Sequence, residues 1–313
     1  MRTSAPVAAC DAPTVPSLIP TRGALAARAA DYLQIAKPRI ALLVLLTVAA
    51  GFALAPVDAW HPSVLLHALG GIALVATASS AFNQLLERDS DRLMRRTQNR
   101  PLPAGRLTSA EVLLYGLTAG ALGVAWLGAF VNLATALLAA LTLVMYVGLY
   151  TPLKRRTSFG TAVGALPGAM PPVLGWVAAG APLDLAAFSL FAILFLWQFP
   201  HFLAIAWIYR DEYSRAGLKM LPAGGAARYL TGILAVGYAL ALIPLSLIPA
   251  SAGLAGNQYL VVAFVLSMAY LGASLRFALH ESYRTARALL WTSLVYLPVL
   301  LATLVWDHFS LLG

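Results

Sequence analysis

The chain has 313 residues, of which 60% are hydrophobic and only 11% are charged, whereas about 25% of the residues in ordinary soluble domains are charged. This composition excludes a soluble globular enzyme and a disordered or fibrous chain, because too few charged side chains are present to cover a globule of this size. The formal net charge is +9. In a membrane protein such an excess of Lys and Arg first indicates which loops are cytoplasmic. We therefore do not take it as evidence for nucleic-acid binding, and we expect no nucleic-acid partner.

Nine stretches contain no Asp, Glu, Lys or Arg and are long enough to cross a membrane, which takes roughly 20 apolar residues in a helix. They occupy residues 40–57, 63–86, 112–131, 133–153, 157–183, 185–209, 229–250, 257–275 and 288–306. Lipid leaves only helices and closed barrels, and the stretches lack the strict alternation of a barrel. The sequence therefore predicts an all-α polytopic membrane protein. Its nine transmembrane helices would surround a central cavity over residues 36–313, after a disordered cytoplasmic tail over residues 1–35.

The basic residues orient these nine helices. If the N-terminus and every second loop share one side, that side holds all 21 Lys and Arg residues and nine of the twelve acids. Only Asp58, Asp184 and Asp307 remain on the other side. Cytoplasmic loops carry the excess of Lys and Arg. The sequence thus predicts a cytoplasmic N-terminus, an external C-terminus and a multi-pass protein of the bacterial cytoplasmic (inner) membrane.

The most polar segment begins where the second predicted helix leaves the membrane. Asn83, Glu87 and Asp91 are spaced by four residues, so on a helix they lie on one face. Such oxygen ligands suit Mg²⁺, which takes one or two carboxylates and completes its shell with waters and phosphate oxygens. The alternative is a solvated cluster of charges at the membrane edge. Three acidic or amide side chains at fixed spacing favour the metal site.

Further polar residues lie in the loops of the same predicted side. Arginines beside a metal site are suited to a diphosphate, because guanidinium binds phosphate bidentately, although positive-inside topology also explains a basic loop. A second acidic pair, Asp211 and Glu212, follows the sixth predicted helix, and its spacing alone is a weak metal signal. The candidate substrate-binding cations are Arg39, Arg92, Arg96, Arg100, Lys154 and Arg155.

The three loops give the sequence its resemblance to a known family. The strings are Asn83–Pro101, which ends in Arg-Thr-x-x-Arg-Pro, and Tyr150–Arg155, Trp197–Phe202 and Asp211–Pro222. The chain resembles the UbiA superfamily of intramembrane prenyltransferases over nearly its whole length from Lys37 onward, and within it the branch that farnesylates heme. One departure is Glu87, where many members have Asp. The other is Arg215, which stands four residues after Asp211 where a second Asp would complete the motif.

The resemblance implies roles for these residues. Asn83, Glu87 and Asp91 would hold Mg²⁺ on the diphosphate of farnesyl diphosphate, and Asp211 with Glu212 would support a second Mg²⁺. The loop cations and Tyr150 would bind the same substrate. His201, in the sixth predicted helix, is either a buried hydrogen-bonding residue or a contact of the porphyrin. Arg39 would bind phosphate or a heme propionate, although topology alone would also place it there.

The implied reaction joins a farnesyl group to the 2-vinyl group of heme B, with addition of water, and yields heme O. The active site would face the cytoplasm, and a heme A synthase or a terminal oxidase assembly would be a partner. A second interpretation keeps prenyl transfer but has an aromatic acid or quinone precursor as acceptor. A third is a membrane transporter, which is disfavoured because transporters place coupling charges near the midplane, whereas the nine stretches contain none.

Overall fold

The computed structural model describes residues 22–56, 61–154, 156–219 and 229–312, and the secondary structure of these parts is helical throughout. A π-helical segment, Met145–Tyr150, follows the sixth of the helices. The α-helices are α1 Arg22–Ala36, α2 Pro38–Ala53, α3 Pro62–Leu86, α4 Arg88–Arg92, α5 Ser109–Phe130, α6 Leu133–Val144, α7 Thr151–Leu153, α8 Gly160–Ala178, α9 Leu185–Ile208, α10 Arg210–Arg215, α11 Leu230–Ser251, α12 Asn257–Leu279 and α13 Tyr283–Leu312.

Eight continuous helical segments of the described chain are long and apolar enough to cross a membrane. One of them runs from α6 through the π-helical segment to Leu153, and the others are α3, α5, α8, α9, α11, α12 and α13. Helices α1 and α2 meet at a bend of 46°, and counted as one span they raise the number to nine. The predicted all-α, multi-pass fold is therefore confirmed. The orientation of the termini stays a prediction.

Residues 22–35, which the sequence placed in a disordered tail, are helical in α1 and pack against the loop that precedes α5 and against the first turn of α5. Arg28 pairs with Glu111, and Arg106 pairs with Asp31 at 2.8 Å. Ile35 is fully buried at the end of the helix. These contacts join residues 75 to 83 positions apart, so the local composition of the segment did not reveal them. Residues 1–21 lie outside the described part of the chain.

Glycines bring α2 and α8 into direct backbone contact. A Cβ atom added to Gly51 would stand 1.9 Å from the carbonyl oxygen of Pro172, and one added to Gly175 would stand 1.9 Å from that of Val48. Helices in lipid pack closely through such small residues because lipid supplies no hydrophobic force between them. This tight pair forms one wall of an internal cavity.

The cavity has a volume of about 230 Å³ and is lined by α2, α3, α6 with its π-helical extension, and α8. Its wall is mainly apolar, and the proline residues Pro167 and Pro171 of α8 belong to it. Its polar lining residues are Lys37, Ser79, Ser80, Thr142 and Tyr146. Ser79 and Ser80 lie one turn before the polar end of α3, so the cavity leads toward the segment that carries the predicted metal ligands.

At the opposite ends of the helices, polar side chains cap helix starts. The Asn132 side chain accepts a hydrogen bond from the backbone of Thr135 at the start of α6, and Asp184 does the same at the start of α9. One carboxylate oxygen of Asp307, on α13, accepts two backbone hydrogen bonds at the start of α12. These groups satisfy amide donors that a helix start leaves without a partner.

Candidate active site

Asn83, Glu87 and Asp91 lie on one face of a nearly continuous helix. The helix is interrupted at Glu87, which ends α3 and begins α4. The four-residue hydrogen-bond pattern nevertheless persists, from the Glu87 amide to the Asn83 carbonyl at 3.0 Å and from the Asp91 amide to the Glu87 carbonyl at 2.8 Å. The structure therefore brings the three side chains together as their spacing predicted.

All three side chains are buried, with relative exposures of 4% for Asn83, 6% for Glu87 and 1% for Asp91. Burial of a polar group without a partner is costly. Even so, the Asn83 Nδ2 and Asp91 Oδ1 atoms are buried without a hydrogen bond. The two ends of the Asn83 amide exchange by rotation of the side chain, so its oxygen can take the same place. The candidate metal ligands are thus one amide and two carboxylates, and Asn83 and Asp91 each have a buried polar atom that is free to bind a further group.

Two basic side chains form ion pairs with these acids. The Arg100 Nη1 atom lies 2.6 Å from Asp91 Oδ2, and the Lys154 ammonium group pairs with Glu87. Arg100 comes from the loop after α4, whereas Lys154 follows α7, so the pairs join two separate loops over the same acidic face. The site therefore contains both the oxygen ligands of a divalent cation and the positive groups that a diphosphate needs.

The second acidic loop meets the first through α10. Met94 packs in one buried cluster with Ala206, Tyr213 and Leu218. The Arg96 guanidinium lies over the ring of Tyr209, 5.2 Å from its centroid. The two acidic loops therefore contact each other.

Within α10, the two adjacent acids differ in their exposure. The Asp211 side chain is 81% exposed, with Arg210 at 3.9 Å. Glu212 instead turns inward, and its Oε2 atom is buried without a hydrogen bond. Successive residues on a helix point about 100° apart, and the burial of Tyr213 against Met94 fixes which acid faces the site. Of the two acids that the sequence predicted together, Glu212 is the one with a buried carboxylate oxygen.

Tyr150 ends the π-helical segment and lies beside the acidic face. The Lys154 ammonium group lies 5.2 Å from the centroid of its ring. A Cβ atom at Gly164 would come within 2.4 Å of that ring, so the glycine makes room for it. π-Helical turns occur often at functional sites. Here the turn places an aromatic ring next to the cation that pairs with Glu87.

Other predicted site residues lie elsewhere. Arg39 is exposed and does not line the cavity, because the turn between α1 and α2 directs its neighbour Lys37 there instead. Arg92 is exposed, and its Nε atom donates to the Pro103 carbonyl at 3.3 Å, so it stabilises a loop. Arg155 lies outside the described residues.

His201 lies inside α9 and faces α13. Its Nδ1 atom is 2.7 Å from the hydroxyl oxygen of Ser293, and its ring stacks on Trp197 at 5.0 Å. His201 is thus partly buried and hydrogen-bonded. A porphyrin contact of His201 remains a prediction.

The candidate site can now be compared with known proteins. Residues 44–306, which are most of the chain, match the sequence pattern of the family described as "UbiA prenyltransferase family". The chain belongs to the UbiA family.

Bacterial relatives are similar to this chain along nearly its full length. Protoheme IX farnesyltransferase of Solibacter usitatus is 44% identical over 289 residues, which cover 89% of this chain and 98% of the relative. The protein of the same name from Koribacter versatilis is 40% identical over 94% of this chain and 98% of its own length. That of Aquifex aeolicus is 37% identical over 88% and 94%.

Solved structures of UbiA homologues share the fold. The apo structure from Aeropyrum pernix K1 has a TM-score of 0.69 at 18% identity, over 87% of this chain and 98% of that one. The homologue from Archaeoglobus fulgidus, bound to DMAPP and Mg²⁺, has a TM-score of 0.57 at 20% identity, over 90% and 98%. At these identities the likeness establishes the multi-pass UbiA architecture of the chain.

Proposed function

We propose that this chain transfers the farnesyl group of farnesyl diphosphate to the 2-vinyl group of protoheme IX (heme B), with addition of water, and so forms heme O and diphosphate. The observation that carries prenyl transfer is the buried acidic face of Asn83, Glu87 and Asp91, with two cations on it, beside an apolar cavity. Heme as the acceptor is supported by relatives of 37–44% identity that carry this activity in their names.

Mg²⁺ fits the residues present. No group of three His, Cys, Asp or Glu side chains able to hold a metal occurs in the described ranges. Mg²⁺ needs only one or two protein carboxylates when waters and substrate phosphates complete its shell. Asn83, Asp91 and Glu212 each have a buried polar atom without a hydrogen bond, and they would hold the ion together with Glu87. When bound, Mg²⁺ would supply positive charge to the departing diphosphate.

The residues of the chain would then act on the two halves of the donor. Arg100 and Lys154 would neutralise oxygens of the diphosphate as the bond between farnesyl C1 and oxygen breaks and the electron pair leaves with the diphosphate. The apolar wall of the cavity would keep water from the allylic cation. The vinyl π electrons of heme would form the new bond to C1. Water would add to the resulting carbocation and lose a proton, which completes the hydroxyethylfarnesyl group.

The charge distribution supports a location and an orientation for this reaction. All 21 Lys and Arg residues fall on one side in the nine-span topology, which favours the bacterial inner membrane with the active site facing the cytoplasm. A downstream heme A synthase or terminal oxidase assembly is the partner that a heme O product implies.

The test supplies membranes containing the protein with heme B, farnesyl diphosphate and Mg²⁺, and the extracted hemes are analysed by mass. We expect heme O with the wild type and none with Asp91→Asn, with equal amounts of both proteins in the membrane. A parallel reaction offers an aromatic acid or a quinone precursor instead of heme. Prenylation of that acceptor, with no heme O formed, would reject heme as the substrate.

A further inference from the structure

Lys37 stands at the bend between α1 and α2 in a backbone conformation that lysine seldom adopts. Its φ is 51° and its ψ is 62°, in the left-handed region that non-glycine residues avoid. The helix breaks here because Pro38 restricts the residue before it and has no amide hydrogen to donate. The consequence is the 46° bend between α1 and α2, at which Lys37, rather than its neighbour Arg39, lines the cavity.

A buried clamp holds this bend. The carbonyl oxygen of Ile35 accepts a hydrogen bond from Ser80 Oγ at 2.7 Å and another from Gln84 Nε2 at 3.0 Å. All three residues are buried, with 1% exposure for Gln84. Two side chains of α3 thus replace the helical partner that the Ile35 carbonyl loses at the break. Because α3 also carries Asn83 one residue before Gln84, the clamp fixes the position of Lys37 relative to the acidic face.

The surroundings of Lys37 are polar on one side and apolar on the other. It lines the cavity together with Ile40 and Val44. Asp91, Arg96 and Arg100 act on it electrostatically from the loop after α3.

The charges around Lys37 do not balance. Arg100 already pairs with Asp91, and among the described residues no carboxylate lies within ion-pair distance of the Lys37 ammonium group. Two arginines and a lysine therefore share one neighbouring carboxylate at the end of an apolar cavity. The arrangement matches an amphiphile whose apolar chain fills the cavity and whose anionic head lies at Lys37.

We propose that Lys37 is a further binding residue for the diphosphate of the prenyl donor, and that Ser80 and Gln84 position it through the Ile35 carbonyl. This inference rests on the proposed function for the identity of the donor. A porphyrin propionate has the same anionic oxygen chemistry, so the experiment separates the two substrates.

The experiment measures the binding of farnesyl diphosphate with Mg²⁺ to the purified full-length protein in the absence of heme, and then the KM of each substrate. A charge-assisted hydrogen bond corresponds to about tenfold in affinity. We expect Lys37→Met to weaken donor binding and raise the donor KM about tenfold, with the KM for heme unchanged. Lys37→Arg should recover most of the affinity. Arg276→Gln, an exposed cation at the end of α12, serves as the control for a general loss of charge.

Unchanged donor binding in Lys37→Met, or a rise confined to the KM for heme, would overturn the proposal. Ser80→Ala tests the clamp separately. It should raise the donor KM in the wild type and add nothing in the Lys37→Met background, whereas a merely structural role would affect both equally. This inference and the proposed function can fail separately. If donor binding depends on Lys37 but the wild type forms no heme O, only heme as the acceptor is rejected.

Discussion

Replacement of Arg100 by methionine removes the partner of a carboxylate that is 1% exposed. Loss of one member of a buried ion pair costs about 3–5 kcal/mol, because the other charge stays buried without compensation. Arg100 itself is 19% exposed, and Lys37 interacts electrostatically with Asp91 and compensates its charge in part. We therefore expect Arg100→Met to destabilise the metal-free protein by about 3 kcal/mol. Thermal unfolding of the purified protein in detergent, with EDTA present, measures this as a lower Tm.

The same experiment contains its own controls. Asp91→Asn leaves Arg100 partly solvated, so its Tm should fall less than that of Arg100→Met. The double variant should regain stability relative to Arg100→Met, since no charged carboxylate is then left buried. Mg²⁺ added to Arg100→Met should also raise its Tm by more than it raises that of the wild type. If the double variant is as unstable as Arg100→Met alone, the loss does not come from the stranded Asp91 charge and the reasoning fails.

Three further predictions follow from the site and the packing. Asp91→Asn should lower turnover at least about 100-fold in the heme O assay, as expected for a group that stabilises transition-state charge, and near-normal turnover would remove Asp91 from the site. Glu212→Gln should lower turnover about tenfold, as expected for loss of one charge-assisted contact. Asp211→Asn should lower it by less than twofold. A larger loss in Asp211→Asn than in Glu212→Gln would show that Asp211 is the acid that acts at the site. Gly51→Ala should lower the Tm, because its Cβ atom collides with backbone, whereas Gly272→Ala, which meets open space, should not.

The common face of Asn83, Glu87 and Asp91 was predictable because four-residue spacing is a local property that a helix converts directly into geometry. The rotation of α10 about its own axis was not predictable. Whether Asp211 or Glu212 faces the site depends on the packing of Tyr213 against Met94, and these residues are more than a hundred positions apart in the chain. The motif located the acidic loop correctly but could not indicate which acid turns inward.

The orientation of Lys37 likewise depends on residues that are distant in the chain, so the sequence did not predict it. The Lys-Pro dipeptide predicts a break in the helix, but the sequence does not reveal which cation the break directs inward. That depends on Ser80 and Gln84, which are 45 and 49 residues away from the carbonyl they bind. Hydropathy likewise located the spans. Helix α1 was not predicted because its partners, Arg106 and Glu111, are 75 and 83 positions away in the chain.

The capped helix starts opposite the charged loops have a kinetic consequence. Asn132, Asp184 and Asp307 are each engaged by backbone amides there, so among the described residues of that face these three polar groups are not available to a diphosphate. Diphosphate, the water-soluble product, would then depart through the opening by which the head of the donor arrived. Each spent diphosphate would have to clear this opening before the next donor binds, so we expect inorganic diphosphate to inhibit in competition with farnesyl diphosphate.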